Sequence, residues 1–327
     1  PDEFFTFTLL SDGTYSVKAA NISNMPNIIG IPETYNGKAV TVIEKSGFAY
    51  CSRANSISIP KSVVRIEDSA FEGCNNVSSV YFANDNSLVY IGQNAFSGRN
   101  IRGVYYYGSI EDWCKMQFAN SYSNPLWNGA YLYINNESVS EITITKDMNI
   151  TNIGNYVFTG LNGVDTISLS GVKTIGDLAF YNINSLTTLK IEDSVSSIGE
   201  YAFSDCDRLA FIKLPASVVT VKHHAFNLCS KVVRVDYDGS IAQWFRISFA
   251  SLGANPLSNG ATLYIDDQII ESITDSDGIT IIGDYAFPKS KYLTEIDLTG
   301  SNITSIGLYA FYGCDNLSAV ALPNKLQ

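Results

Sequence analysis

The sequence predicts a strand-dominated α/β solenoid, a right-handed superhelix of short coils with short helical turns and two larger helix-plus-hairpin insertions. Three observations predict it. An anchor of the form Ile-Gly-x-x-Ala-Phe recurs along the chain, an apolar-x-x-apolar-x-apolar pattern follows most anchors, and one whole block is repeated at an offset of 131 residues.

The anchoring phenylalanines are Phe48, Phe71, Phe96, Phe158, Phe180, Phe203, Phe226, Phe287 and Phe311, separated by 23, 25, 62, 22, 23, 23, 61 and 24 residues. A period of 22 to 25 lies in the leucine-rich-repeat range, where each repeat is one coil. The intervals of 62 and 61 mark the insertions.

Residues 1–42 read as an N-terminal cap and first coil. Their apolar residues alternate around Asp12-Gly13 and Asn36-Gly37, the dipeptides that tight hairpins favour. Residues 43–327 read as one continuous solenoid domain, internally duplicated at about 43–158 and 175–287. The last residues, LPNKLQ, follow a strand directly, which predicts that the natural chain continues.

Within a coil, Ile212 and Leu214 alternate inward on a strand, with Leu209 just ahead of it. One coil cannot enclose these side chains, so coils stack and each apolar position becomes a column. Ile57, Val80, Val104, Ile167, Leu189, Ile212, Val235, Ile296 and Val320 form one such column. A second short extended segment, as in Val218 to Val221, leads into a single helical turn that carries Ala225-Phe226 as core. Gly92, Gly154, Gly176, Gly199, Gly283 and Gly307 precede that turn at a position that favours glycine, yet Glu44, Glu67 and Lys222 also occupy it. A positive φ is therefore not obligatory there.

Cys51, Cys74, Cys206, Cys229 and Cys314 each fall three residues after an anchor. Repetition at one coil position marks them as buried, reduced core residues rather than reactive thiols. No CxxC or CxxH pair suggests zinc.

In the duplicated insertions, 104–134 aligns with 235–265. Ser109 and Ser240 are N-caps of a short helix, with Asp112 and Gln243 three residues on. Trp113 and Trp244 form its apolar side, and Leu-Tyr-Ile before Asn135-Asn136 or Asp266-Asp267 reads as a hairpin. A tryptophan present in both copies is explained by packing more simply than by two identical ligand pockets.

Composition narrows the function. The net charge of −11 and a pI near 4.6, with no basic cluster, exclude a nucleic-acid partner. No apolar run is long enough to span a bilayer, so membrane insertion is not expected. The charged fraction of 16% beside 46% hydrophobic residues describes a fully folded chain.

The units LPASVVTVKHHAFNLC and IPKSVVRIEDSAFEGC resemble the BspA-like leucine-rich-repeat family, and the resemblance covers nearly the whole chain. It implies a bacterial cell-surface or secreted protein that acts in adhesion or ligand binding, with a protein or glycan partner such as host extracellular matrix. The GSI-x-x-W through NPL to LYI insertion is similar to an element of such proteins in gut Firmicutes. The family carries no common functional residues that could be transferred to this chain.

A catalytic reading lacks a signature: no G-x-S-x-G, H-E-x-x-H or P-loop pattern occurs. His223 and His224 replace Glu200 and Tyr201 of the preceding coil, at variable turn sites. Asp266-Asp267 and Asp275-x-Asp277 are acidic turns that match no twelve-residue calcium loop and read as solvated. No enzyme activity, metal or cofactor is expected. The outward strand positions vary instead, on what is expected to be a concave sheet. Tyr81, Tyr105, Lys190, Lys213 and Asp236 occupy one outward column, and Phe211 and Arg234 the one beside it. These seven are the candidate ligand-binding residues, since aromatic and arginine side chains commonly anchor interfaces. The alternative is a structural spacer, or a substrate-binding module attached to a surface enzyme.

Overall fold

In the computed structural model, residues 2–83, 87–274, 278–324 and 326 are described. Asp275 and Asp277, one of the acidic turns considered above, lie outside them. The chain divides into two compact units, Pro1–Val139 with Gly154–Gly163, and Ser140–Ile153 with Val164–Gln327.

In the first unit, strands Ile28–Gly30, Ser56–Ile59, Ser79–Phe82, Gly103–Tyr106 and Tyr131–Ile134 pair in parallel, one per coil, and Glu137–Ser138 closes the row antiparallel. The second extended segments, Arg65–Ile66, Tyr90–Ile91 and Gln117–Phe118, build another parallel ladder on Lys38–Ile43. At its start Phe5–Leu9 and Tyr15–Ala19 form a hairpin, with Gly13 at a φ of +85° in the turn. Phe7 stacks on Tyr35 at 3.9 Å.

The second unit repeats the plan. Glu141–Ile144, Thr166–Leu169, Thr188–Ile191, Phe211–Leu214, Arg234–Tyr237 and Thr262–Ile265 are parallel, followed by antiparallel Gln268–Ile269. A separate three-stranded ladder joins Ser272–Thr274, Glu295–Asp297 and Ala319–Ala321.

The predicted apolar column is in register. Ile57, Val80 and Val104 pair in sequence, as do Ile167, Leu189, Ile212 and Val235, and all are fully buried. Val320 is the exception, 54% exposed, because its strand is outermost in its sheet.

The helical turn expected at Ala-Phe is instead a run of reverse turns. Ala202 N–H and Ser204 N–H close turns on the Gly199 and Tyr201 carbonyls, while Tyr201, Phe203 and Asp205 donate to His223, Ala225 and Asn227 of the next coil at 2.8–3.0 Å. Alternate amides thus bond within the coil and between coils, which satisfies a buried backbone that a single helical turn would leave half unpaired. The geometry demands a left-handed residue two positions before every anchor: Ser46, Ser69, Asn94, Tyr156, Leu178, Tyr201, His224, Tyr285 and Tyr309 have φ of 51–64°. None of these is glycine. The recurring glycine two positions earlier has no positive φ, and at Gly199 and Gly307 the need for glycine is steric. A Cβ on Gly199 would run into the Gly176 carbonyl, and one on Gly307 into the Asp284 amide.

The anchors stack ring on ring, Phe180 on Phe203 at 5.1 Å and Phe203 on Phe226 at 5.4 Å. Four of the repeated cysteines have a defined task. Cys74, Cys206, Cys229 and Cys314 each direct the thiol at the anchor carbonyl of the preceding coil, that of Phe48, Phe180, Phe203 or Phe287, at 3.0–3.5 Å. Burial first and neighbouring Cys229 second push the Cys206 thiol far above its ordinary range. Cys51, in contrast, is held lower by a hydrogen bond with Cys74, against the effect of burial. All six cysteines are free; five are buried and Cys314 half-buried.

The two insertions adopt equivalent structures in their respective units. Helix α1 spans Ile110–Lys115 and helix α2 spans Ile241–Trp244, each started by the predicted serine. Trp113 Nε1–H donates to Val157 O at 2.9 Å and Trp244 Nε1–H to Ala286 O at 2.7 Å, with both indoles fully buried. Asn124 and Asn255, of the Asn-Pro-Leu turns, donate their amides to the same pair of carbonyls, Tyr156 and Val157 in one copy and Tyr285 and Ala286 in the other. Both turn residues of each hairpin are left-handed: Asn135, Asn136, Asp266 and Asp267.

Candidate functional site

The inward pleat of each strand is filled with mainly aliphatic side chains, joined by Phe82, Tyr106 and Tyr237, so the intervening residues point to the other face. In the first unit this places Ser58, Tyr81, Tyr105 and Tyr133 in one row. The three tyrosines stack face to face, Tyr81 on Tyr105 at 4.7 Å and Tyr105 on Tyr133 at 4.6 Å, with their planes within 11° and 9° of parallel. Their faces cover one another, so edges and hydroxyls form the exposed surface. Gly103 permits this arrangement, since a Cβ there would stand 2.9 Å from the Tyr105 ring. Burial, then the neighbouring Tyr133 and Tyr81 phenols, raise the Tyr105 hydroxyl above its ordinary value.

In the second unit the corresponding row is Thr143, Ser168, Lys190, Lys213, Asp236 and Tyr264. Lys190 is exposed and has no ion-pair partner among the described residues. Lys213 lies between Glu192 at 3.0 Å and Asp238 at 3.1 Å, and these carboxylates, Glu192 foremost, raise its pKa. Arg234 is more tightly engaged. It donates to both Asp236 oxygens at 2.6 and 3.1 Å and to Asp267 at 2.7 Å, while its guanidinium lies 4.1 Å above the Tyr264 ring. Phe211 sits half-buried beside it, in register with Thr188 and Arg234.

The seven candidates therefore separate by unit and by chemistry. Tyr81 and Tyr105 belong to an aromatic row in the first. Lys190, Phe211, Lys213, Arg234 and Asp236 belong to a charged strip in the second, where Arg234 and Lys213 already have carboxylate partners. Tyr133 and Tyr264 escaped the sequence reading. The Leu-Tyr-Ile segments that contain them were read as arms of hairpins, yet the same strands pair with the preceding coil and continue its row.

The remaining candidates are accounted for locally. His224 is left-handed and stacks on Tyr201 at 5.0 Å, while His223 is exposed. Asp266 and Asp267 form a hairpin turn, with Asp267 turned toward Arg234. Among the described residues no group of three His, Cys, Asp or Glu side chains converges on a point where a metal could sit. No helix of the described residues is long and apolar enough to cross a membrane.

Among curated proteins, none matches the chain. Solved structures resemble it at low identity. A leucine-rich repeat protein from Bacteroides ovatus is 19% identical over 99% of this chain and 76% of its own, with a TM-score of 0.45. One from Eubacterium ventriosum is 17% identical over 99% and 90%, with a TM-score of 0.44. A leucine rich cell surface protein from Faecalibacterium prausnitzii is 15% identical over 77% and 97%, with a TM-score of 0.30. The family model described as a BspA type leucine-rich repeat region matches in six copies, over residues 19–124, 129–253 and 262–327. That match covers well over half of the sequence, and the chain belongs to the BspA-type leucine-rich-repeat family.

Proposed function

We propose that this chain is a non-catalytic interaction module that acts outside the cell, where it adheres to a protein or glycan ligand of a host. A repeat scaffold of this family supports a protein-binding role, and the family resemblance carried by the repeat units is the ground for the location. The observation that carries the reading is the contrast between the two faces of the strands. One inward column is uniformly aliphatic and the next is largely buried, with Phe82, Tyr106 and Tyr237 among its aliphatic members, while outward rows change from tyrosine to lysine, arginine and aspartate. A generic scaffold with a varied face is what selective recognition requires.

The tyrosine row is the favoured contact surface. Its hydroxyls and ring edges are free to meet a partner, whereas Arg234 would first have to leave two carboxylates. The test is an array of host matrix proteins and glycans, probed with the wild type and with the triple variant Tyr81→Ala, Tyr105→Ala, Tyr133→Ala. Loss of at least tenfold in affinity at an unchanged melting temperature is the expected result. A partner that binds both proteins equally removes the tyrosine row from the interface.

A further inference from the structure

We infer that the second unit carries a separate binding site for an acidic saccharide, in a cleft of about 790 Å³ beside Gly260 and Gly313. This site is independent of the strand face discussed above. Two lysines line it, Lys289 and Lys291, and neither has a carboxylate within ion-pair distance among the described residues. In a chain of net charge −11, two lysines that share one concavity with a single carboxylate, Asp315, leave that concavity locally positive.

The duplication supplies an internal comparison. Two and four residues after the anchor, the first block has Gly160 and Asn162 where the second has Lys289 and Lys291; Trp127 in the first corresponds to Ser258 in the second. In the first block Gly160 lies directly against the Trp127 backbone, so close that any Cβ would overlap the Trp127 carbonyl, and the Trp127 indole is pinned by its bond to Phe96 O at 2.9 Å. The first copy is thus closed at this position. In the second, the smaller Ser258 accompanies a lysine at the anchor-plus-two position. The scaffold requirement is the same in both copies and does not explain the lysines.

The backbone holds the cleft in shape. Lys289 N–H donates to Tyr312 O at 2.7 Å, and Asn316 Nδ2 donates to Lys291 O at 2.7 Å. The lysine stems run along the two glycines: a Cβ on Gly260 would lie 3.6 Å from Lys291 Cε, and one on Gly313 would lie 3.0 Å from Lys289 Cγ.

The lining selects the ligand class. It contains no Val, Leu, Ile, Met or Ala side chain, unlike the mostly apolar pockets that take drug-like molecules. It offers an exposed phenol ring in Tyr312, amide oxygens in Asn259 and Asn316, and an acceptor in Asp315. A pyranose matches this set, with a C–H face for the ring and hydroxyl donors for the oxygens. The lysines add the demand for a carboxylate on the sugar.

The test titrates the whole chain by calorimetry with sialyllactose and with a uronic-acid disaccharide, against neutral lactose and inorganic sulfate. The acidic sugars should bind at least tenfold more tightly than lactose, and should weaken as salt is raised. Lys291→Ala and Tyr312→Ala should each weaken binding at least fivefold with no change in melting temperature, because both side chains are exposed. The tyrosine-row triple variant should bind these sugars normally. The inference is overturned if neither acidic sugar binds, if lactose binds as well, if sulfate competes at equal concentration, or if Lys291→Ala and Tyr312→Ala leave binding intact.

Discussion

At the scale of single residues, this protein is governed by close approach, within a coil as well as between coils. Gly108 and Gly239, matched across the duplication, show the effect plainly. Neither has a positive φ, but a Cβ on Gly239 would stand 2.7 Å from the Tyr237 ring and 3.0 Å from the Gln243 side-chain oxygen. Tyr237 is 2% exposed and held edge-on by Trp244, so its ring has little room to retreat. Gly239→Ala is therefore expected to destabilise the protein by about 1–3 kcal/mol, the usual cost of overpacking a filled core. A urea midpoint equal to that of the wild type would mean that the ring can move aside. The same residue-level logic explains the repeated cysteine. A small apolar side chain with a weak donor fills the layer and meets an anchor carbonyl, which neither alanine nor serine would do as well.

At the scale of elements, each insertion is locked by an asparagine that does three things at once. Asn255 donates to Tyr285 O at 2.8 Å and Ala286 O at 3.0 Å, and its Oδ1 accepts from Leu257 N–H at 2.8 Å. The residue is fully buried, so its removal leaves Tyr285 O and the Leu257 N–H without partners, while Ala286 O keeps the bond from Trp244 Nε1–H. At about 1–3 kcal/mol for a buried group left unsatisfied, Asn255→Ala should cost on the order of 3 kcal/mol or more. Asn255→Asp keeps the acceptor but replaces the donors, and it should be as damaging. Equilibrium unfolding monitored through tryptophan fluorescence in a Trp113→Phe, Trp127→Phe background, which leaves Trp244 as the reporter, checks both. If Asn255→Ala unfolds at the wild-type midpoint, water has replaced the amide and the lock is not structural.

At the scale of the whole molecule, the charge balance makes the fold sensitive to strong base. Burial pushes the Tyr106 and Tyr237 phenols up to about 12 from an ordinary 10.0, with Asp112 assisting at Tyr106; it pushes the Cys114 thiol up to about 12 from 9.0, with Glu111 assisting. In each case the folded state binds the proton more tightly than the unfolded state. The stabilisation is complete below the ordinary values and is lost as pH rises through the raised ones, between about 9 and 12. Melting temperature should accordingly hold to about pH 9 and fall steeply beyond it. Tyr237→Phe should flatten part of that fall at little cost at neutral pH, because the buried Tyr237 hydroxyl has no hydrogen-bond partner among the described residues. An unchanged alkaline profile in Tyr237→Phe would show that the phenol does not drive the loss.

The solenoid, its inward columns, the Ala-Phe core layer and the equivalence of the two insertions were legible in the residue order, because stacking repeats the same environment in every coil and so repeats the same residue. The capping serines and hairpin turns were legible for a similar reason, since their hydrogen bonds and φ values are met within a few residues. Interactions between coils were not legible. The left-handed position before each anchor accepts Ser, Asn, Leu, Tyr and His alike, so it leaves no residue signature, and it exists only because alternate amides must reach the next coil. The Asp267 carboxylate beside Arg234, the stacking of Tyr133 on Tyr105 and the lysine-lined cleft arise from register between strands and turns more than twenty residues apart. Periodicity says which face a side chain takes, whereas its neighbours on that face are set by how one coil seats on the next.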